Sequence, residues 1–266
     1  RFAFSVFAFE PLALPSFTLL GQSLLSGLFI GALYGLLGLG LSLSWGLLRQ
    51  INLSHFALAF LGAYLTYQLS AAGLDPFVAL LVVVPAFFLF GVLVHALLAR
   101  FAITPFNSLL VTFGLSVIIQ NVLLEVFGAD TRRLLAGDIE TASLALPGDI
   151  QVGVFPLIVF LVAVVSLGAL QWLLYRTALG RAFRATSDDA ATAELMGIDN
   201  RHLYALAMAI ALGFTALSAG LFAIRSTFDP SSGPINLIFA FEAVIIGGLG
   251  SLWGTLVGGI VLGVAQ

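Results

Sequence analysis

The sequence contains no cysteine and no lysine, and only 9% of its 266 residues are charged. Without cysteine, disulfides and thiolate metal sites are excluded. Without lysine, the chain cannot carry a Walker A phosphate loop, because that loop needs its Lys to reach the phosphates. A soluble domain usually has about 25% charged residues, so this chain, which is 61% hydrophobic, is predicted to be an integral membrane protein. Its net charge of −3 is too small to indicate nucleic acid as a partner.

Residue patterns typical of catalytic sites are also missing. The sequence has no HExxH, paired-cysteine or nucleophile-elbow pattern. His55, His95 and His202 each lie near a predicted membrane boundary, where an imidazole is usually an interfacial group. We therefore expect no catalytic residue, metal site or bound cofactor on this chain, and we do not expect an intramembrane enzyme.

Long apolar runs predict an all-α fold, a polytopic bundle of transmembrane helices. Runs near twenty residues recur and alternating ten-residue strands do not. The runs cover residues 16–48, 56–74, 76–98, 103–124, 152–175, 203–224 and 235–266. The first exceeds one span, so its end is expected to bend or to enter the next motif, and the last is expected to break near Gly250 and Ser251. Residues 1–15 lack a signal-peptide pattern and are expected to form an interfacial, Phe-rich lead-in to a membrane domain at 16–266.

The charged interruption at residues 176–202 carries four of the ten basic residues. Helix alternation places Arg49 and Arg100 at the same side, which gives six basic residues there and four on the other side. Because Arg and Lys accumulate in cytoplasmic loops, this loop is predicted to face the cytoplasm, with the amino terminus outside.

A short helix is predicted within that loop. Residues 186–189 read Thr-Ser-Asp-Asp, a capping box that begins with a hydroxyl at the N-cap. The Ala-rich run at 190–196 favours helix, and Gly197 stands where a C-cap glycine would, so the helix has roughly ten residues and is too short to span a bilayer. It is either an ordinary solvated loop helix or a docking element, whose residues would be Thr186, Ser187, Asp188, Asp189, Ala190, Ala193, Glu194, Leu195, Met196 and Gly197.

Two features of the apolar runs allow alternative interpretations. Gly27, Gly31 and Gly35 recur at four-residue spacing, which favours close helix packing; a substrate path lined by bare backbone is the alternative. Glu242 is the one carboxylate well inside an apolar run. Exposing it to lipid would cost about 2.5 kcal/mol or more, which makes it a functional candidate. A structural cap at a nearby helix break is the favoured alternative for Glu242.

Three stretches together resemble the permease subunits of ATP-binding-cassette importers for branched-chain amino acids. The first is the Gly-rich segment 31–49, followed by Asn52-Leu-Ser-His55 and by Gly-Ala-Tyr at 62–64. The second consists of residues 180–186 and the Met-Gly-Ile at 196–198. The third consists of residues 219–221, 246–251 and 258–259. The Asn52/His55 motif resembles the H-type subunit. Phe56 departs from the glycine usual in the family, and the chain stops at Gln266 inside an apolar run where members typically continue.

The resemblance implies a fold with broken helices and a location in the bacterial inner membrane. It also implies a paralogous permease partner, a pair of cytoplasmic ATPases that bind ATP-Mg, and a periplasmic or lipid-anchored solute-binding protein. Residues 180–198 would then contact the ATPases, and the expected cargo is a hydrophobic amino acid, or a related solute such as urea or an amide. Our nominees for the translocation pathway are Gly31, Tyr34, Gly35, Asn52, His55 and Glu242. The rival hypothesis is a secondary transporter or channel without an ATPase, for which several buried acids or histidines would be expected.

Overall fold

In a computed structural model of the protein, residues 17–49, 52–101, 105–146, 150–230 and 233–266 are described. The predicted lead-in at 1–15 lies outside the described residues. In chain order the elements are α1 (Phe17–Leu48), α2 (His55–Ala71), α3 (Pro76–Phe101), α4 (Pro105–Phe127), α5 (Asp138–Thr141), β1 (Ser143–Leu146), β2 (Ile150–Gly153), α6 (Val154–Arg176), α7 (Ala178–Asp188), α8 (Ala190–Leu195), α9 (Asn200–Arg225), α10 (Gly233–Gly247) and α11 (Leu252–Ala265).

Within the described ranges, five helices are long and apolar enough to cross a membrane, namely α1, α3, α4, α6 and α9. The predicted multi-pass helical bundle is therefore confirmed. The first apolar run forms one continuous helix of 32 residues. That helix stops at Leu48 because Arg49 takes a positive φ of 53°.

α1 and α9 form the centre of the bundle. In their most apolar stretches 67% and 83% of the residues are buried, against 33% for α3 and α6 and 17% for α4. A helix that is apolar on all sides must be covered by protein or by lipid. The low burial of α3, α4 and α6 therefore leaves apolar faces for lipid or for another membrane chain.

The four-residue glycine spacing of α1 serves helix packing. A methyl group added at Gly27 would come within 2.7 Å of the Gly263 carbonyl oxygen, and one at Gly31 would overlap the Gly259 carbonyl. At Gly35 it would lie 2.9 Å from the Leu256 Cα. The two backbones can approach this closely only because small residues line the contact. The favoured packing interpretation is confirmed, with α11 antiparallel to α1.

The last apolar run is broken as expected. α10 and α11 have 15 and 14 residues, fewer than the roughly twenty that a full span needs. Between them Gly248 and Gly250 take φ values of 89° and 85°, which reverse the chain. Ser251 caps α11 by accepting a hydrogen bond from the Gly254 amide at 3.1 Å. The two half-length helices then pack against each other, with Gly254 on the backbone of Gly247.

A β-hairpin was not predicted. β1 and β2 pair antiparallel, from Ser143 opposite Gly153 to Leu146 opposite Ile150, in the polar segment between α4 and α6. Strands of four residues are too short to show an alternating pattern against their polar surroundings.

The described arginines lie at two ends of the bundle, in the two groups that helix alternation predicts. A hydrogen bond of 2.6 Å from Ser187 Oγ to the Gly46 carbonyl places the 176–202 segment at the Arg49 end of α1. The rings of His95 and Tyr204 lie 6.4 Å apart, which brings the Arg100 end of α3 to the start of α9. At the opposite end, Arg132 pairs with Phe228 in an isolated β-bridge. That the first end faces the cytoplasm stays a prediction.

Candidate functional site

A tight corner between α6 and α7 begins the segment at residues 176–202. Thr177 caps α7, since its hydroxyl oxygen accepts from the Gly180 amide at 3.0 Å and its O–H donates to the Leu173 carbonyl at 2.6 Å. Any side chain at Gly180 would overlap the carbonyl oxygens of Leu173 and Leu174. α7 is therefore folded directly onto the end of α6. Sequence analysis missed this corner, although Thr177 three residues before Gly180 is a capping pattern.

Asp189, and not Thr186, is the N-cap of the short helix. Asp189 adopts an extended conformation between α7 and α8. Its carboxylate accepts from the amides of Ala191 and Thr192 at 3.0 and 3.1 Å and from the Thr192 hydroxyl at 2.6 Å. The hydrogen bond from the Thr192 hydroxyl lowers the pKa of Asp189 most, and the bond from the Thr192 amide lowers it further. The capping-box prediction was wrong because the preceding helix continues through Asp188, which leaves Thr186 inside its last turn.

The predicted glycine stop of α8 is confirmed. Gly197 has a φ of 84°. Its amide donates to the Glu194 carbonyl at 3.0 Å, and the Ile198 amide donates to the Ala193 carbonyl at 3.1 Å. These two bonds form a Schellman motif, which favours glycine at the left-handed position. The helix spans six residues instead of the ten expected.

One face of the α7–α8 unit is fixed to the bundle. The buried Thr186 hydroxyl donates to Asn200 Oδ1 at 2.9 Å, and Asn200 Nδ2 donates to the Ala190 carbonyl at 2.7 Å. These bonds tie both short helices to the start of α9, and Ser187 ties α7 to α1. Ala193 is buried on the same side. The unit is therefore attached to the two helices at the centre of the bundle.

The other face of the unit is exposed and carries an apolar tip. Leu195 and Met196 are 87% and 79% exposed. These two neighbouring side chains form a small exposed apolar surface at the end of a capped helix. The remaining predicted docking residues on this exposed face are Asp188, Asp189, Glu194 and Gly197.

The pathway nominees on α1 lie in two different environments. Gly31 and Gly35 are in the contact with α11. Tyr34 is half-buried, stacks on Phe239 with ring centroids 5.2 Å apart, and donates to Gln266 Oε1 at 3.2 Å. The two glycines therefore contact the middle of α11, whereas Tyr34 contacts α10 and the residue that ends α11.

Asn52 and His55 lie in the protein core. Asn52 Oδ1 accepts from the Ser54 amide and hydroxyl at 3.0 and 2.6 Å, an arrangement that starts α2. His55 is 1% exposed, and its ring nitrogens lie 3.4 Å from the Leu37 carbonyl oxygen and the Thr215 hydroxyl. The expectation that His55 is an interfacial group was wrong, because the bare backbone of Gly40 makes room for its ring beside α1.

Glu242 lies on a face of α10 that also carries exposed apolar residues. Glu242 is half-buried, while Ile245 and Ile246 are each 54% exposed. Among the described residues it has no hydrogen-bond or ion-pair partner, and Ser251 supplies the cap at the helix break. The favoured interpretation of Glu242 as that cap was therefore wrong.

Residues 23–266 match a protein family described as branched-chain amino acid transport system, permease component. The high-affinity branched-chain amino acid transport system permease protein BraD of Pseudomonas aeruginosa is 28% identical over 269 residues, which cover 92% of this chain and 84% of the relative. The high-affinity branched-chain amino acid transport system permease protein LivH of Escherichia coli is 25% identical over 272 residues, which cover 92% of this chain and 84% of the relative. A probable LivH permease of Methanocaldococcus jannaschii is 24% identical over 247 residues, covering 87% and 75%. No solved structure matches the chain significantly.

Proposed function

The chain belongs to the branched-chain amino acid transport permease family, and from this membership we propose that it forms one transmembrane half of an ATP-driven importer. Its cargo is a branched-chain or other hydrophobic amino acid, or a related small solute such as urea or an amide. The observation that carries the proposal is the exposed Leu195–Met196 tip on a short helical unit anchored to the centre of the bundle. A permease needs such a surface so that a conformational change in a separate ATPase can be transmitted to its helices.

The partners in this proposal are a paralogous permease, a pair of cytoplasmic ATPases that bind ATP-Mg, and an external solute-binding protein. Two observations support them. The chain has no lysine for a Walker A loop. Large apolar faces remain uncovered on its outer helices, for example at Leu81, Leu89 and Phe113. The proposed location is a bacterial inner membrane, with the 176–202 segment on the cytoplasmic side.

The hydrogen bonds of the α7–α8 unit suggest how the ATPases are coupled to the transmembrane bundle. A push on the Leu195–Met196 tip reaches α1 through Ser187 and α9 through Thr186 and Asn200. A cavity of about 170 Å³ between α7 and α1, lined by residues that include Ser42 and Arg184, leaves room for the unit to move. Closure of the ATPases shifts the access equilibrium only if the tip contacts them differently in the two states.

Copurification tests the proposed function. A tagged chain extracted from its native membrane into nanodiscs should bring down nucleotide-binding subunits, and the complex should hydrolyse ATP faster when the loaded binding protein is added. A chain that purifies alone and moves leucine without ATP would support the secondary transporter instead.

We also propose that Glu242 faces the translocation pathway. A carboxylate on an apolar helix face is costly in lipid, and none of the described residues pairs with it. We expect Glu242→Gln to lower leucine uptake by about tenfold, on the scale of one lost charge-assisted hydrogen bond, while assembly of the complex is unchanged. Glu125→Gln, at an exposed carboxylate near the end of α4, is the matched control. Uptake at the wild-type rate in the Glu242 variant would refute this role.

A further inference from the structure

Arg225, the last residue of α9, is a half-buried guanidinium without an acidic partner among the described residues. The ion pairs among the described residues are Arg132 with Asp130 and Arg133 with Glu140 at the same end of the bundle, and His202 with Asp199 at the other end. The two other arginines described at the outer end are therefore engaged, and Arg225 is not. A guanidinium carries five N–H donors and stays charged, so leaving it half-buried and unpaired is costly unless a ligand pairs with it.

Arg225 lines a cavity of about 160 Å³ between α1 and the start of α6. At about 30 Å³ for each water molecule, this is space for about five waters, which suits a small solute. The polar groups in its wall are donors or amides, from Gln22 and Ser26 of α1 and Gln151 of β2. Among the described residues that line the cavity there is no carboxylate, and Leu25 and Phe29 give the wall an apolar part.

The cavity is close to a residue that sequence analysis placed along the pathway. Tyr34 lies between one and two turns beyond Phe29 on α1 and is near enough to Arg225 for the two groups to interact electrostatically. A solute leaving the cavity along α1 would next meet the Tyr34 ring and its partner Phe239. The cavity is therefore placed as an entry position at the outer end of the bundle.

We infer that the Arg225 cavity binds the carboxylate of a small amphipathic solute, the α-carboxylate of an apolar amino acid, as it enters from the outer side. The guanidinium supplies the charge, the amide and hydroxyl groups supply further donors, and the apolar wall accepts an aliphatic side chain. This assignment rests on the proposed transport function, since it names the substrate group that one position of the pathway recognises.

The test uses the assembled complex in nanodiscs without ATP and measures leucine binding by saturation-transfer NMR. Leucine should bind, and leucinamide, which lacks the carboxylate, should bind about ten- to hundredfold more weakly, as expected for a lost charge-assisted hydrogen bond. Arg225→Gln should weaken the binding of leucine to the level of leucinamide binding. Arg225→Lys should restore most of the difference in affinity between leucine and leucinamide. Arg132→Gln, at an outer arginine that does not line the cavity, is the control. Equal binding of leucine and leucinamide by the wild-type protein would overturn the inference.

Uptake into proteoliposomes separates this inference from the proposed function. Arg225→Gln should lower the maximal rate of leucine uptake and leave the KM for the loaded binding protein unchanged. A raised KM with an unchanged maximal rate would show that Arg225 docks the binding protein, and would overturn the inference while the importer function stands. Carboxylate-dependent binding without any ATP-driven uptake would leave the site in place and contradict the importer. Should Arg225→Gln fail to insert, Ser26→Leu fills the cavity with the guanidinium intact and is also expected to weaken leucine binding.

Discussion

Replacing Met196 with aspartate should abolish ATP-driven uptake while leaving membrane insertion and cargo binding unchanged. Met196 is 79% exposed at the end of α8, so a charge there costs the folded chain little. In a contact with an ATPase the same carboxylate would be buried against apolar groups and unpaired, which is strongly unfavourable. The expected result is uptake reduced by about a hundredfold or more, with ATP hydrolysis no longer stimulated by the loaded binding protein.

A second tip variant and a matched control introduce aspartate at two exposed leucines, one at each end of the bundle. Leu195→Asp, next to Met196, should behave like Met196→Asp. Leu135→Asp, at a residue 71% exposed in the outer loop, should transport normally. Normal uptake by both tip variants would exclude the tip as the coupling surface.

Gly197→Pro tests the same surface through the backbone. Proline fixes φ near −65°, whereas Gly197 has a φ of 84°. Proline also removes the N–H that donates to Glu194. The turn that presents the tip should be lost, and uptake with it. Gly197→Ala keeps the N–H at a conformational cost of about 1–2 kcal/mol and should retain part of the activity.

The second large effect is expected at the α1–α11 contact. A side chain at Gly259 would overlap the Gly31 carbonyl oxygen and lie 2.6 Å from the Gly35 amide nitrogen. Because both obstacles are backbone, the helices must move apart, and overpacking of this kind costs about 1–3 kcal/mol or more. Gly259→Leu should therefore lower the melting temperature of the complex sharply and reduce its yield.

Gly168→Leu is the control for this substitution. Gly168 lies on α6 with nothing within 4 Å of an added methyl group. The same change there adds equal apolar volume without a clash, and should leave thermal stability within experimental error. If the two variants melted at the same temperature, close backbone contact between α1 and α11 would be contradicted.

The membrane topology could be predicted because the apolar runs are long and their interruptions are polar. The break between α10 and α11 was found from the glycines at 247–250, and the stop of α8 from Gly197, since left-handed backbone favours glycine. The alternation of apolar runs alone groups Arg49 and Arg100 with the α7–α8 unit at one end of the bundle. These are local signals, each carried by a few neighbouring residues.

Signals that depend on distant contacts could not be found in this way. His55 looked interfacial because it follows a polar turn, yet Gly40 and Thr215, far away in sequence, enclose its ring. Thr186 was assigned as a cap because nothing in the sequence shows that α7 continues to Asp188. Nothing in the sequence distinguishes Arg225 from the other arginines, because only the fold places it at a cavity whose described lining residues include no acid.

Cysteine labelling of the apolar tip tests the central claim most directly. The chain has no cysteine of its own, so Met196→Cys introduces a single reactive thiol into this subunit. A membrane-impermeant maleimide should label it in inside-out vesicles but not in intact cells, and a short bifunctional reagent should join it to the ATPase subunit. Labelling of the thiol from the outside of intact cells would contradict the account. A thiol that is accessible in inside-out vesicles but never crosslinks to an ATPase would also contradict it.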